Sequence, residues 1–186
     1  MTSMTKKKLE YRLPFSSLED GVHIFEFTIG QDFMELFPET DVFFAPQVRV
    51  GLELVKSDRL MEMRFRFEGV AKSLCDRCLR EVEFPVRTEE KVVAKLSSEA
   101  TEVVEEDEFW TVPEKDSSLD LAPYFHEILV LSRPMQLFCP ENEKGEPTCD
   151  PKMLAYYDQP SDIEESEPET DPRWAALAGL RDKMED

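Results

Sequence analysis

Apolar and polar positions alternate most cleanly between Gln47 and Phe67. Val48, Val50, Leu52 and Leu54 interleave with Arg49, Gly51 and Glu53. Beyond a polar break at Lys56–Arg59, Met61, Met63, Phe65 and Phe67 interleave with Glu62, Arg64 and Arg66. Period two in two adjacent runs predicts an antiparallel hairpin with one face in water and the other in a core. Four apolar side chains per strand, each worth roughly 1.5–3 kcal/mol when buried, can anchor such a sheet against a helix. The alternation returns at Val82, Phe84 and Val86, less regularly over Val70–Leu74, and again over Lys91–Leu96. The hairpin therefore extends into a meander from about residue 47 to residue 96.

The pattern changes period downstream. Leu121, Phe125, Ile128 and Leu129 stand at i, i+4, i+7 and i+8, behind Asp120 as a cap and with Pro123 in the first turn. Pro134 ends this helix, which is expected to cover the meander. Upstream, Val22–Phe27 reads as a strand with Val22, Ile24 and Glu26 on one face and His23, Phe25 and Phe27 on the other. Phe33, Leu36 and Phe37 suit a short helix before Pro38. Phe109 and Trp110 are expected to dock the end of the acidic loop 97–107 onto the core. The fold class is thus α+β: an antiparallel β meander under one main helix, with an acidic C-terminal tail and a short terminal helix.

Charge divides the chain further. The net −19 is spread as −4 over residues 1–55, +1 over 56–91 and −16 over 92–186. Residues 1–8 read as a disordered start and 9–157 as a single domain. Residues 158–171 read as an acidic linker and 172–186 as an amphipathic helix. Asp150-Pro151 and Asp171-Pro172 each look like a cap followed by proline at the first helical position, the second leading to Trp174, Leu177, Leu180 or Arg181, and Met184. No apolar stretch follows Lys6-Lys7-Lys8, and the longest aliphatic run is Ile128–Leu131, so a soluble cytoplasmic protein is expected.

Four cysteines hold the candidate chemistry. Cys75 and Cys78 stand at C-x2-C spacing in a tight turn between strands; Cys139 and Cys149 follow at C-x9-C. In a reducing compartment such pairs suggest thiols or a metal site over disulfides. Structural zinc needs four thiolate or imidazole ligands, and Cys75, Cys78, Cys139 and Cys149 are the candidate set. Packed thiols remain an alternative, because nine residues separate the second pair. A thiol-dependent redox protein using Cys75 and Cys78 is another, although no helix start follows Cys75 to lower its pKa. Lys72, Arg77 and Arg80 would offset thiolate charge.

Elsewhere the sequence offers little chemistry. There is no Gly-rich phosphate loop or HExxH, and His23 and His126 stand in no nucleophile motif, the latter reading as a surface or half-packed residue. Bulk charge excludes non-specific nucleic-acid binding. Arg64, Arg66, Lys72, Arg77 and Arg80 form the one basic concentration and are the candidate contacts for RNA or a partner, against the alternative that strand-face charges pair across strands. A plain adaptor, binding a basic protein through the acidic tail, is the third functional class.

The order of motifs resembles the YceD family, the large ribosomal RNA subunit accumulation proteins. The resemblance rests on Glu68-Gly69, Cys75-Asp76-Arg77-Cys78-Leu79 and Pro85-Val86, followed by Asp120-Leu121, Glu127, Leu129, Leu131, Pro134 and Cys139. Tyr11-Arg12-Leu13 to Phe27 is similar to the family's amino-terminal region, and Asp171-Pro172-Arg173 with Leu177 and Leu180 to its tail. The resemblance implies a non-enzymatic factor needed for normal levels of large-subunit ribosomal RNA, with a ribosomal protein, a pre-ribosomal particle or RNA as partner. Many members carry a tighter second cysteine cluster. Here Lys144-Gly145 is present, but Glu146-Pro147-Thr148 precede Cys149.

Overall fold

A computed structural model describes residues 10–106 and 109–157. The elements run β1 (Arg12–Leu13), a 3-10 turn (Phe15–Ser17), β2 (Gly21–Ile29), α1 (Gln31–Met34), β3 (Phe44–Ser57), β4 (Leu60–Leu74) and β5 (Glu81–Ser97). They continue with β6 (Val104–Glu106), β7 (Phe109–Pro113), β8 (Leu119–Asp120), α2 (Ala122–Ser132) and α3 (Pro151–Tyr157). Six strands form one sheet in the order β2-β3-β4-β5-β7-β6, and β1 pairs with β8 beside it. The α+β reading holds, with an antiparallel meander at its centre. The segments 1–8, 158–171 and 172–186 lie outside the described residues, apart from which the expected helix at Asp150-Pro151 is present as α3.

The hairpin predicted from alternation is in register: Val50 faces Phe67, Leu52 faces Phe65 and Leu54 faces Met63. All six side chains are buried. α2 lies across this face. Phe125 at its centre meets Phe27, Phe65, Phe67 and Tyr11, with ring centroids 5.3–6.2 Å apart and mostly edge-to-face. That geometry satisfies the ring quadrupoles as well as the burial. Asp120 sits ahead of the helix as expected, its Oδ1 accepting the Ala122 N–H at 3.1 Å.

The meander has fewer and longer strands than the pattern suggests. Val70–Leu74 is not a separate strand but the end of β4, and Val82–Val86 and Lys91–Leu96 are both parts of the seventeen-residue β5. Two residues that look like breaks are tolerated for local reasons. A Cβ at Gly69 would run into the Gln47 carbonyl oxygen and the Val48 backbone, so glycine there permits close strand approach, beside a register irregularity between Phe44 and Gln47. Pro85 has no N–H, but the Leu96 N–H bonds the Arg59 carbonyl, which places the even-numbered β5 amides towards β4 and the odd-numbered ones away. The missing donor of Pro85 therefore falls on the side of β5 that carries no strand at that position.

Of two further expectations, the division of β2 into two faces holds and the docking of both aromatics changes. On β2 the face with Phe25 and Phe27 packs on the core, while Val22 and Ile24 are 64% and 66% exposed. Of the aromatic pair only Trp110 docks, against Tyr124 at 5.0 Å; Phe109 is 65% exposed. The reason is that these residues lie on a strand, β7, which runs parallel to β5 and must send alternate side chains to opposite faces.

Candidate metal centre

Where β4 ends and β5 begins, residues 75–80 make a knuckle. The Cys75 N–H bonds the Arg80 carbonyl at 2.8 Å, and the Leu79 N–H bonds the Cys75 carbonyl at 3.0 Å. Leu79 closes the turn with φ 57°, the left-handed region where a Cβ is unfavourable. Cys75 and Cys78 point to one side of this turn and are buried.

The second pair arrives from beyond α2, and its wide spacing has a structural answer. The Pro140 carbonyl accepts both the Thr148 N–H, at 3.2 Å, and the Thr148 hydroxyl, at 2.7 Å. Above this pinch the Asn142 side chain accepts the N–H groups of Lys144 and Glu146, and Gly145 supplies φ 77°. The nine residues therefore fold into a closed loop that sets Cys139 beside Cys149. All four Sγ atoms lie within 4.8 Å of one another, and all four residues are buried. Cys75 stands 3.8 Å from Cys149, and Cys78 stands 3.4 Å from Cys139.

These distances fit one ion. A tetrahedral site with metal–sulfur bonds of about 2.3 Å has its sulfurs about 3.8 Å apart. A disulfide would need about 2.05 Å, and the four cysteines are free. The electrostatics point the same way. Burial alone would raise every thiol, but N–H donors of Arg77, Cys78 and Cys139 on the Cys75 sulfur pull it down to about 6. At Cys78 burial is likewise outweighed, by the N–H groups of Asp150 and Arg80. Burial and the neighbouring sulfurs push Cys139 up to about 12, and Cys149 moves up for the same reasons. Such a cluster cannot hold four thiolates without a cation. The donor set, four sulfurs with backbone N–H groups aimed at two of them, suits a structural zinc ion.

Asp76, inside the C-x2-C turn, fastens the two halves. Its N–H donates to the Leu137 carbonyl at 2.8 Å, and its Oδ2 accepts the Leu137 N–H at 2.6 Å. Its Oδ1 accepts Arg133 Nη2 at 2.6 Å, while Arg133 Nε donates to the buried Ser73 hydroxyl, which itself donates to the Val42 carbonyl. The Leu137 amide, and after it Arg133, hold the Asp76 carboxyl below the usual carboxylate range. Sequence reading overlooked Asp76, Arg133 and Phe138. The only available signal was an acid between the two cysteines.

The five basic candidates separate into two groups. Arg64, Arg66 and Lys72 share the outer face of β4 and each meets a carboxylate: Glu53 at 3.9 Å, Glu89 at 2.7 Å and Glu81 at 3.7 Å. Arg77 and Arg80 belong to the knuckle. The Arg77 guanidinium carbon lies 4.1 Å from the centroid of the Phe138 ring, and Arg80 donates to the Thr148 carbonyl at 2.8 Å. His126 is half-buried, stacked on Phe37 and 2.5 Å from the Thr40 hydroxyl, a packing role. His23 contacts the Glu19 carbonyl through Nε2 at 2.9 Å.

No curated protein and no solved structure compared with the chain matches it. A family profile does, over residues 63–181, more than half of the chain, spanning the knuckle, α2 and both cysteines of the second pair. No helix among the described residues is long and apolar enough to cross a membrane. With the cysteine order and the helix-to-loop block accounted for in space, the chain belongs to the family described as large ribosomal RNA subunit accumulation protein YceD.

Proposed function

We propose that this protein is a non-enzymatic cytoplasmic factor that supports accumulation of large-subunit ribosomal RNA by engaging a pre-ribosomal particle, and that its four cysteines hold a structural zinc ion. The family match over residues 63–181 supports the ribosomal role. The closed, buried set of four sulfurs supports a structural ion, since a catalytic zinc keeps one position open for water or substrate. Cys75, Cys78, Cys139 and Cys149 would supply the ligands, and the ion would fix the arm after α2 to the end of the sheet. Asp76 and Arg133 orient that arm. The depressed Cys75 thiol arises from N–H donors that serve a metal thiolate equally well, and all four thiols are shielded from a substrate, so the redox alternative has less support. The acidic −16 half is suited to a Lys/Arg-rich ribosomal protein within such a particle.

The test is a deletion strain. Large-subunit RNA should fall relative to small-subunit RNA and recover with the wild-type gene, and only weakly with Cys78→Ser. An unchanged ratio would reject the ribosomal role; full rescue by Cys78→Ser would reject the zinc as its structural requirement.

A further inference from the structure

The two arginines of the knuckle differ from the four paired cations of the strand face. Arg64, Arg66, Lys72 and Lys91 each sit on a carboxylate. Among the described residues Arg77 and Arg80 meet none: one lies over a ring and the other reaches a backbone carbonyl. Nearby acids are engaged elsewhere, Asp76 with Arg133, Glu81 with Lys72 and Glu146 with the Asn142 amide. Between the two arginines stands Leu79, 61% exposed and held at positive φ. Glycine would take that conformation without strain, so packing does not explain a leucine there. The knuckle thus displays a ring-supported guanidinium, a second guanidinium with donors to spare and an apolar side chain, all on a base fixed by the four-cysteine cluster.

We infer that the tip Arg77-Cys78-Leu79-Arg80, together with Phe138, is a contact surface for single-stranded RNA. This rests on the reading that the protein acts on large-subunit RNA. The guanidinium held over Phe138 offers a flat cationic face on which an unstacked base can lie. Arg80 is placed for a phosphate, and Leu79 for the edge of a base or sugar. A duplex hides its base faces, and an acidic peptide has no flat π-face to match the Arg77–Phe138 pair. Arg64 and Arg66, each paired with a carboxylate, are not used.

The experiment measures binding of fluorescein-labelled oligouridylate by the full-length, zinc-loaded protein, with its duplex with oligoadenylate and a polyglutamate peptide as alternatives. The single strand should bind more tightly than either. Arg77→Gln should weaken it about tenfold, the loss of one stacked base. Arg77→Lys should weaken it nearly as much, because the charge stays while the planar group goes. Arg80→Gln should reduce the salt dependence by about 0.7 in log–log slope, one phosphate contact on a single strand. Leu79→Gly should lower affinity with an unchanged or higher melting temperature, which separates display from folding. Arg64→Gln with Arg66→Gln should bind as wild type. Equal affinity in the Arg77 and Leu79 variants, loss in the Arg64/Arg66 variant, preference for duplex or polyglutamate, or no RNA binding would each overturn the inference. In the last case a fall of large-subunit RNA in the deletion strain would still uphold the ribosomal role.

Discussion

At the centre of the sheet, Phe125 of α2 is surrounded by Phe27, Phe65, Phe67 and Tyr11, and every contact is apolar ring against apolar ring. At the knuckle end, four sulfurs, one carboxylate and one arginine do the joining, with only Leu137 and the cysteines themselves buried in the arm that follows Pro134. The first region is stabilised by removal of apolar area from water, which no ligand or chelator can undo. The second has too little apolar area for that and depends on ionisable groups. One chain therefore joins a core held by apolar area to a clamp held by sulfur and ionic contacts.

The largest expected effect follows from the clamp. Protein purified without chelator should hold one zinc per chain, and Cys78→Ser or a strong chelator should remove it. Structural zinc in small domains contributes on the order of 10 kcal/mol of binding free energy. Here that energy should hold the segment 134–157, which limited proteolysis should cut first while the sheet stays protected. If chelation melted the sheet and the arm in a single transition, the separation between the two regions would be wrong.

Truncation in the core comes next. Phe125→Ala should cost about 3–5 kcal/mol, seen as a lower denaturation midpoint with zinc content unchanged in the folded fraction. Loss of zinc at denaturant concentrations where the sheet is still folded would show that the helix, too, is part of the clamp.

The smallest effect belongs to Asp76. Asp76→Ala should cost about 1.5 kcal/mol, the low end for hydrogen bonds to a charged group because the carboxylate is partly exposed. Its folded pKa is depressed, so this contribution is complete above the unfolded value of about 3.9 and fades as pH falls below it. Wild type and variant should therefore converge in stability in acid. A difference that persisted at low pH would assign the effect to packing.

Much of the core was legible because alternation reports burial directly. Val50, Leu52, Met63 and Phe65 needed nothing beyond period two, and Phe125 nothing beyond the helical stripe. What escaped was decided by neighbours. Gly69 reads as a break, yet it marks where Gln47 crosses closely; Val82–Val86 and Lys91–Leu96 read as two strands, yet β5 runs through both along β4. At the cysteine site the four ligand candidates could be named from residue type. Their convergence could not be read from spacing, because it depends on the Pro140–Thr148 pinch. The basic set was legible as a list but not as two groups, since a carboxylate partner such as Glu89 is visible only across the strand register.

That pinch has a consequence for anyone wishing to mark or modify the molecule. Because the Pro140 carbonyl holds Thr148 by two hydrogen bonds, residues 141–147 form an exposed tip beyond that pinch, closed by its own bonds from Lys144 and Glu146 to Asn142. Added length at an exposed tip of this kind changes closure entropy only logarithmically. A peptide epitope or dye-acceptor sequence placed between Glu143 and Lys144 should leave the sulfur positions alone, giving a handle within reach of the cysteines that neither dilutes nor displaces them. Unaltered zinc stoichiometry in the tagged protein would establish the site as an insertion point; reduced stoichiometry would show that the tip itself helps set Cys149.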